Sequence, residues 1–139
     1  LLNAQYASER LMWSERMGLS GTNAVRGYYE DSYFADRGVV LNLELSAPTM
    51  NMSLAGKDAQ LQMFAFRDWG KGYNIDDQFV SDLNNRSASK THVISSYGFG
   101  TRFSLSPYVQ FNGTLGFADR GLHERGDRYL GNVSLVLGF

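Results

Sequence analysis

Apolar and polar residues alternate with period two along most of this chain, as they do in strands that present one apolar face. The C-terminal run YLGNVSLVLGF puts Tyr129, Gly131, Val133, Leu135, Leu137 and Phe139 on one face. Leu130, Asn132, Ser134, Val136 and Gly138 fall on the other. GVVLNLEL, QLQMFAFRDWG, HVISSYGFGTRFSL and PYVQFNGTLGFAD repeat the scheme. With the N-terminal LLNAQYAS, six strands are predicted, at 1–8, 39–47, 60–70, 92–105, 108–118 and 129–139. No stretch sustains a helical period, and ERLMWSERM (9–17) offers one turn of helix at most.

The polar faces of these strands are unusual. Soluble antiparallel sheets place Lys and Glu along the solvent side, but here the polar face carries Asn, Gln, Ser, Thr and Gly. Of the charged residues, only Glu44, Arg67, Asp68 and Arg102 fall within the predicted strands. The connections alternate in length: 9–38 and 71–91 are long, 48–59 and 119–128 moderate, and 106–107 a tight Ser-Pro turn. Membrane β-barrels pair short periplasmic turns with longer outer loops. Placing 9–38, 71–91 and 119–128 outside leaves Phe139 on the periplasmic side. Strands of about 9–11 residues match a tilted bilayer span.

The expected fold is therefore all-β: an antiparallel transmembrane β-barrel, represented by about six strands. The alternative is a soluble six-stranded sandwich or small barrel. Six is fewer than the eight strands of the smallest single-chain outer-membrane barrels, and Leu1 begins inside a predicted strand. The chain thus reads as 1–139, the C-terminal part of one barrel domain of a longer protein, with two unpaired strand edges.

Composition narrows the function. With 13 Lys and Arg against 14 Asp and Glu in 139 residues, no basic charge draws a nucleic acid. No cysteine is present, so neither disulfides nor thiolate metal sites form. His92 and His123 lack ligand spacing, so no metal is expected. The Asp76, Asp77 and Asp82 group reads as a solvated loop rather than a calcium site, and no nucleophile motif appears. No cofactor and no enzymatic activity are expected. Mean hydropathy is −0.30, a low value that barrels share because lumen-facing residues dilute lipid-facing ones. On the outward parity, Arg67 and Trp69 read as interfacial anchors, joined by Tyr97, Tyr108 and Tyr129 in an aromatic girdle.

The loop 9–38 holds AVRGYYED (24–31), unusually bulky for an exposed connection. The loop and the segments flanking it supply Gln5, Glu15, Leu19, Gly21, Val25, Arg26, Gly27, Tyr28, Asp36, Gly38, Glu44, Leu45 and Pro48 in a recognisable order, with Ser20 where the first of a Gly pair is usual. FRDWG adds Phe66, Asp68 and Gly70. This pattern resembles the region around the long sixth outer loop of two-partner secretion transporters, the TpsB-type or ShlB/FhaC/HecB-type proteins of haemolysin and haemagglutinin secretion. The resemblance implies a bacterial outer-membrane pore of roughly sixteen strands, preceded by periplasmic domains, that exports a large unfolded partner polypeptide. It also implies that the loop folds back into the lumen, where Arg26 of the Val25-Arg26-Gly27-Tyr28 motif meets Asp68. Asp68 shares the parity of Gln60 and Gln62, so it points inward. Glu44 and Arg102 are further lumen charges, and Glu44 can share Arg26. The final VSLVLGF resembles the signal ending in Phe139 by which outer-membrane barrels reach their assembly machinery. Outer-membrane lipid, that machinery and the secreted protein are the implied partners. A barrel-inserting sibling of the same superfamily and a passive porin or adhesin-type barrel are the alternative readings.

Overall fold

The computed structural model describes residues 1–30, 32–54, 56–75, 91–105, 109–119 and 128–138. The predicted features at Asp76, Asp77, Asp82, the Ser106-Pro107 turn, Tyr108, His123 and Phe139 lie outside them.

One open antiparallel sheet dominates. In chain order its members are β1 (Leu2–Gln5), β4 (Arg37–Ser46), β5 (Met50–Leu54), β6 (Lys57–Tyr73), β7 (Thr91–Leu105), β8 (Val109–Ala118) and β9 (Tyr129–Leu137). The order β1-β4-β6-β7-β8-β9 is a simple meander, with β5 also paired to β6. β1 and β9 are its edges, as expected for a barrel segment that does not close on itself. A second, two-stranded sheet joins β2 (Met17–Gly18) to β3 (Phe34–Ala35) within the long loop.

Parity along the strands is as the alternation predicts. Phe64, Phe66, Asp68, Gly70 and Gly72 of β6 are buried on one face, while Met63, Arg67 and Trp69 are exposed on the other. The exposed face carries Leu43, Leu45, Met63, Phe99, Val133, Leu135 and Leu137. So large an apolar surface needs something to cover it. No helix among the described residues is long and apolar enough to cross a membrane, which says nothing of crossing by strands.

Several boundaries differ from the sequence reading. β1 ends at Gln5 rather than residue 8, and β6 runs Lys57–Tyr73 rather than 60–70, while 9–17 holds the single turn expected, a 3-10 turn at Trp13–Glu15. The connection 48–59 is mostly strand: β5 continues the β4 arm along β6. Between the Ser46↔Phe64 and Met50↔Leu61 pairs, Ala47, Pro48 and Thr49 face Gln62 and Met63. That is a bulge, and Pro48, with no N–H to give the ladder, is at home in one. Alternation breaks there, so a period-two reading stops at the bulge.

The buried apolar cluster lies between loop and sheet. Leu19, Ala24, Val25, Tyr28 and Ala35 come from the loop; Val40, Ile94 and Ala118 come from the wall. Wall glycines make the room. A Cβ on Gly70 would lie 2.9 Å from Val25 Cγ2, and one on Gly72 only 2.4 Å from both Leu19 Cδ1 and Ala35 Cβ. We expect Gly72→Ala to overpack this contact and cost about 1–3 kcal/mol. Hydrogen exchange at the buried Leu19 amide should accelerate accordingly, while exchange in β8 and β9 should stay unchanged.

Candidate functional site: a loop docked on the sheet

The loop tip is held by one charge cluster. Arg26 grips Asp68 with both arms, Nε to Oδ2 at 2.7 Å and Nη2 to Oδ1 at 2.8 Å. The Arg26 backbone N–H donates to the same carboxylate at 3.1 Å. Asp68 is 0% exposed and the Arg26 side chain 12%. The bond is thus a planar fork on a carboxylate, shielded from water, the geometry in which arginine cannot be replaced by lysine. The guanidinium also lies 3.8 Å over the centroid of Phe66, two residues before Asp68 on the same face. A cation over a desolvated ring gains further attraction. Phe66 and Asp68 therefore act together, ring beneath and carboxylate beside.

The remaining predicted charges join in. Arg26 Nη1 donates to Glu44 Oε2 at 3.1 Å. The other oxygen of Glu44 takes Arg102 Nη2 at 2.7 Å and the Ser46 hydroxyl at 3.2 Å. Arg102 sits 4.1 Å over the Phe64 ring. Two arginine–aromatic stacks are thereby linked through one shared carboxylate. Register explains the meeting: Glu44 pairs with Phe66, Phe66 with Gly98, and Gln62 with Arg102.

The tip is fastened beyond the ion pair. Asn42, opposite Asp68 on β4, donates its amide to the Ala24 carbonyl at 2.6 Å. Tyr28, 1% exposed, donates its hydroxyl to the Ser95 carbonyl at 3.1 Å and meets Tyr33 edge-on at 5.9 Å. Val25 is wholly buried. Gly27 has φ +89°, a conformation that side-chain-bearing residues rarely adopt. Ser20, standing where a glycine is usual, accepts the Ser32 and Tyr33 amides through Oγ at 3.0 and 3.1 Å. Its hydroxyl thus fastens the returning arm of the loop.

A second anchor secures the loop base. Asp36 is completely buried. It accepts from the Leu11 amide at 3.1 Å and the Ile75 amide at 2.8 Å and pairs with Arg16 at 3.1 Å. The sequence reading had Asp36 only as one position of the loop pattern. Its role as the tie between this loop and the segment after β6 depends on backbone amides, which no side-chain pattern reports. Asp119 escaped the reading because it lies one residue past the end of the predicted strand. Just beyond β8, it takes Arg67 Nη2 at 2.7 Å and the Ser95 hydroxyl at 2.5 Å on the outward face. Arg67 lies on the outward face its parity gives it, near the Tyr97 ring, with this carboxylate as its partner.

A family model described as "Haemolysin secretion/activation protein ShlB/FhaC/HecB" matches residues 1–102 of the 139. The chain belongs to this family. Comparison with curated proteins and with solved structures returned no match. The ShlB/FhaC/HecB match takes in the whole loop, β6 and the wall of β7 as far as Arg102. Both members of the Arg26–Asp68 pair and both ends of the Glu44–Arg102 bridge therefore lie inside the region that defines this ShlB-type chain.

Two expectations follow. Truncating Arg26 to Ala leaves a buried carboxylate unpaired, a loss of about 3–5 kcal/mol. Arg26→Lys keeps the charge but loses the fork, so its loss should fall between wild type and Arg26→Ala when thermal unfolding of the full-length protein is followed by electrophoretic mobility. A double-mutant cycle should couple Arg26 more strongly to Asp68 than to the half-exposed Glu44. The second concerns pH. The Thr22 hydroxyl and amide both donate to Glu30, at 2.6 and 2.8 Å, and these bonds, the hydroxyl's first, hold the Glu30 carboxyl below its usual range. A depressed carboxyl pKa stabilises the folded loop at neutral pH and ceases to do so as pH falls from about 4 through the lower folded value. Amide exchange at Thr22 should speed up in that window, and Glu30→Gln should remove the pH dependence.

Proposed function

We propose that this chain is the C-terminal part of an outer-membrane β-barrel that exports a large partner protein of the haemolysin, haemagglutinin or adhesin type. Residues 1–139 then form one continuous stretch of a single barrel domain, with loop 9–38 folded into its lumen. The observation that carries this reading is the docking of the loop tip, by a buried Arg26–Asp68 fork, on the polar face of a sheet whose other face is apolar and exposed.

The two faces suit two environments. Outward, Leu43, Arg67, Tyr97, Phe117 and Tyr129 stand in one register row. Tyr97 and Phe117 stack at 5.5 Å, and the Arg67–Asp119 pair lies beside them. Aromatic rings with a paired charge fit the headgroup level of a bilayer. Below that row the apolar residues fit acyl chains, which makes outer-membrane lipid the partner of this face. Inward, below the docked tip, Gln60, Gln62, Ser104, Gln110 and Asn112 offer uncharged hydrogen-bonding groups. The two charges there, Glu44 and Arg102, are committed to one another. An extended polypeptide can slide past such a wall without a strong electrostatic trap. Strand β9 leads to Phe139, the ending that the barrel assembly machinery would read.

Export follows from the loop being held, not from bond chemistry, so no catalytic residue is assigned. Arg26→Ala and Asp68→Ala should each lower the docking equilibrium constant by roughly a hundredfold, the equivalent of about 3 kcal/mol. Secretion of the partner protein by cells carrying either variant should fall in parallel. Arg67→Ala, on the lipid side, should leave secretion near wild type. Export at full rate with both lumen variants would remove the reading. If loss of the transporter depleted other barrels from the outer membrane while partner export continued, the barrel-inserting function would replace it.

A further inference from the structure

The loop tip meets the wall at a point that no charge marks. Gly27 lies against Gly116 of β8, backbone on backbone. A Cβ added to Gly116 would sit 2.7 Å from Gly27 Cα, 2.8 Å from Gly27 N and 3.3 Å from the Arg26 carbonyl carbon. All three of its nearest neighbours belong to the loop. From the other side, a Cβ on Gly27 would lie 3.0 Å from the Gly116 carbonyl carbon. Ordinary contact begins near 3.4 Å, so neither position tolerates a side chain while the loop is docked.

Gly98, paired with Gly116 across β7 and β8, has a different neighbourhood. A Cβ there would strike the Leu115 carbonyl at 2.1 Å and the Phe66 ring at 2.6 Å. Gly98 therefore makes room for the ring on which Arg26 stacks, and a side chain there would disturb the wall itself. At Gly116 a side chain would disturb the loop first.

We infer that Gly116 is the positioning residue that sets how deep the loop tip sits, and so whether Arg26 can close its fork on Asp68. The tip crosses four consecutive strands: β4 at Asn42, β6 at Asp68, β7 at the Ser95 carbonyl and β8 at Gly116. Gly116 is the far stop. A methyl group there lifts the tip, and the fork opens although both of its charged residues are intact. The consequence for export rests on the proposed function; the seat itself does not.

The test uses the full-length transporter in outer-membrane vesicles. With residues 1–139 free of cysteine and any cysteine elsewhere in the transporter replaced by Ser, Asn23→Cys on the loop and Asn112→Cys on the lumen face of β8 carry spin labels for distance measurement. Gly116→Ala should raise the undocked fraction about ten- to a hundredfold, as overpacking of a fitted contact does, and Gly116→Val should raise it further. Gly131→Ala is the control, since a Cβ there meets nothing closer than 3.8 Å; its distance distribution should match wild type. Should Gly116→Ala not assemble, Gly27→Ala probes the same contact from the loop, outside the strands. A wild-type distance distribution in Gly116→Ala, or in Gly27→Ala if that variant is the one used, would overturn the inference. A shifted distribution with unchanged partner secretion would uphold the seat and overturn the export reading of the loop.

Discussion

A carboxylate with no access to water needs a partner, and in this chain the requirement falls on Asp68. It sits on the lumen face of β6, and among the described residues the group that satisfies both oxygens in one plane is the guanidinium of Arg26. Everything about the loop makes sense as a means of delivering that group. Leu19 and Val25 fill the space left by Gly72 and Gly70. Tyr28 reaches past the ion pair to a wall carbonyl. Asp36 fixes the base so that the tip returns to the same place. The apolar contacts supply attraction without direction; the fork supplies direction.

Alternation made most of the wall legible before any coordinates. Asp68 could be turned inward because it shares a face with Gln60 and Gln62, and that inference survives. Arg26, Glu44 and Arg102 were each named, and they form one connected cluster. What stayed hidden has a common cause. The tie at Asp36 uses backbone amides, the fold-back of Ser20 uses a hydroxyl on two N–H groups, and the seat at Gly116 involves no side chain at all. Sequence patterns report side chains, whereas these three contacts are made by the main chain. The bulge at Pro48 was lost differently: it shifts parity within a strand, so a reader counting by twos sees an end where the sheet continues.

The wall also divides its charges cleanly. Inside, Asp68, Glu44, Arg26 and Arg102 neutralise one another within a cluster braced on Phe64 and Phe66. Outside, Arg67 and Asp119 do the same beside Tyr97. Among these six residues each charge has a counter-charge, which matters most where the side chain is shielded from water, as at Asp68.

The route of the loop tip across four strands has a bearing on how such a barrel is built. The loop precedes β8 in sequence, yet its far resting point is on β8, which pairs with β7. Until that strand arrives the tip has a charge to grip and no floor to stop on. Full lodging of the loop therefore requires β8 to be in register beside β7, so the seat couples the loop to a strand that its charges never touch.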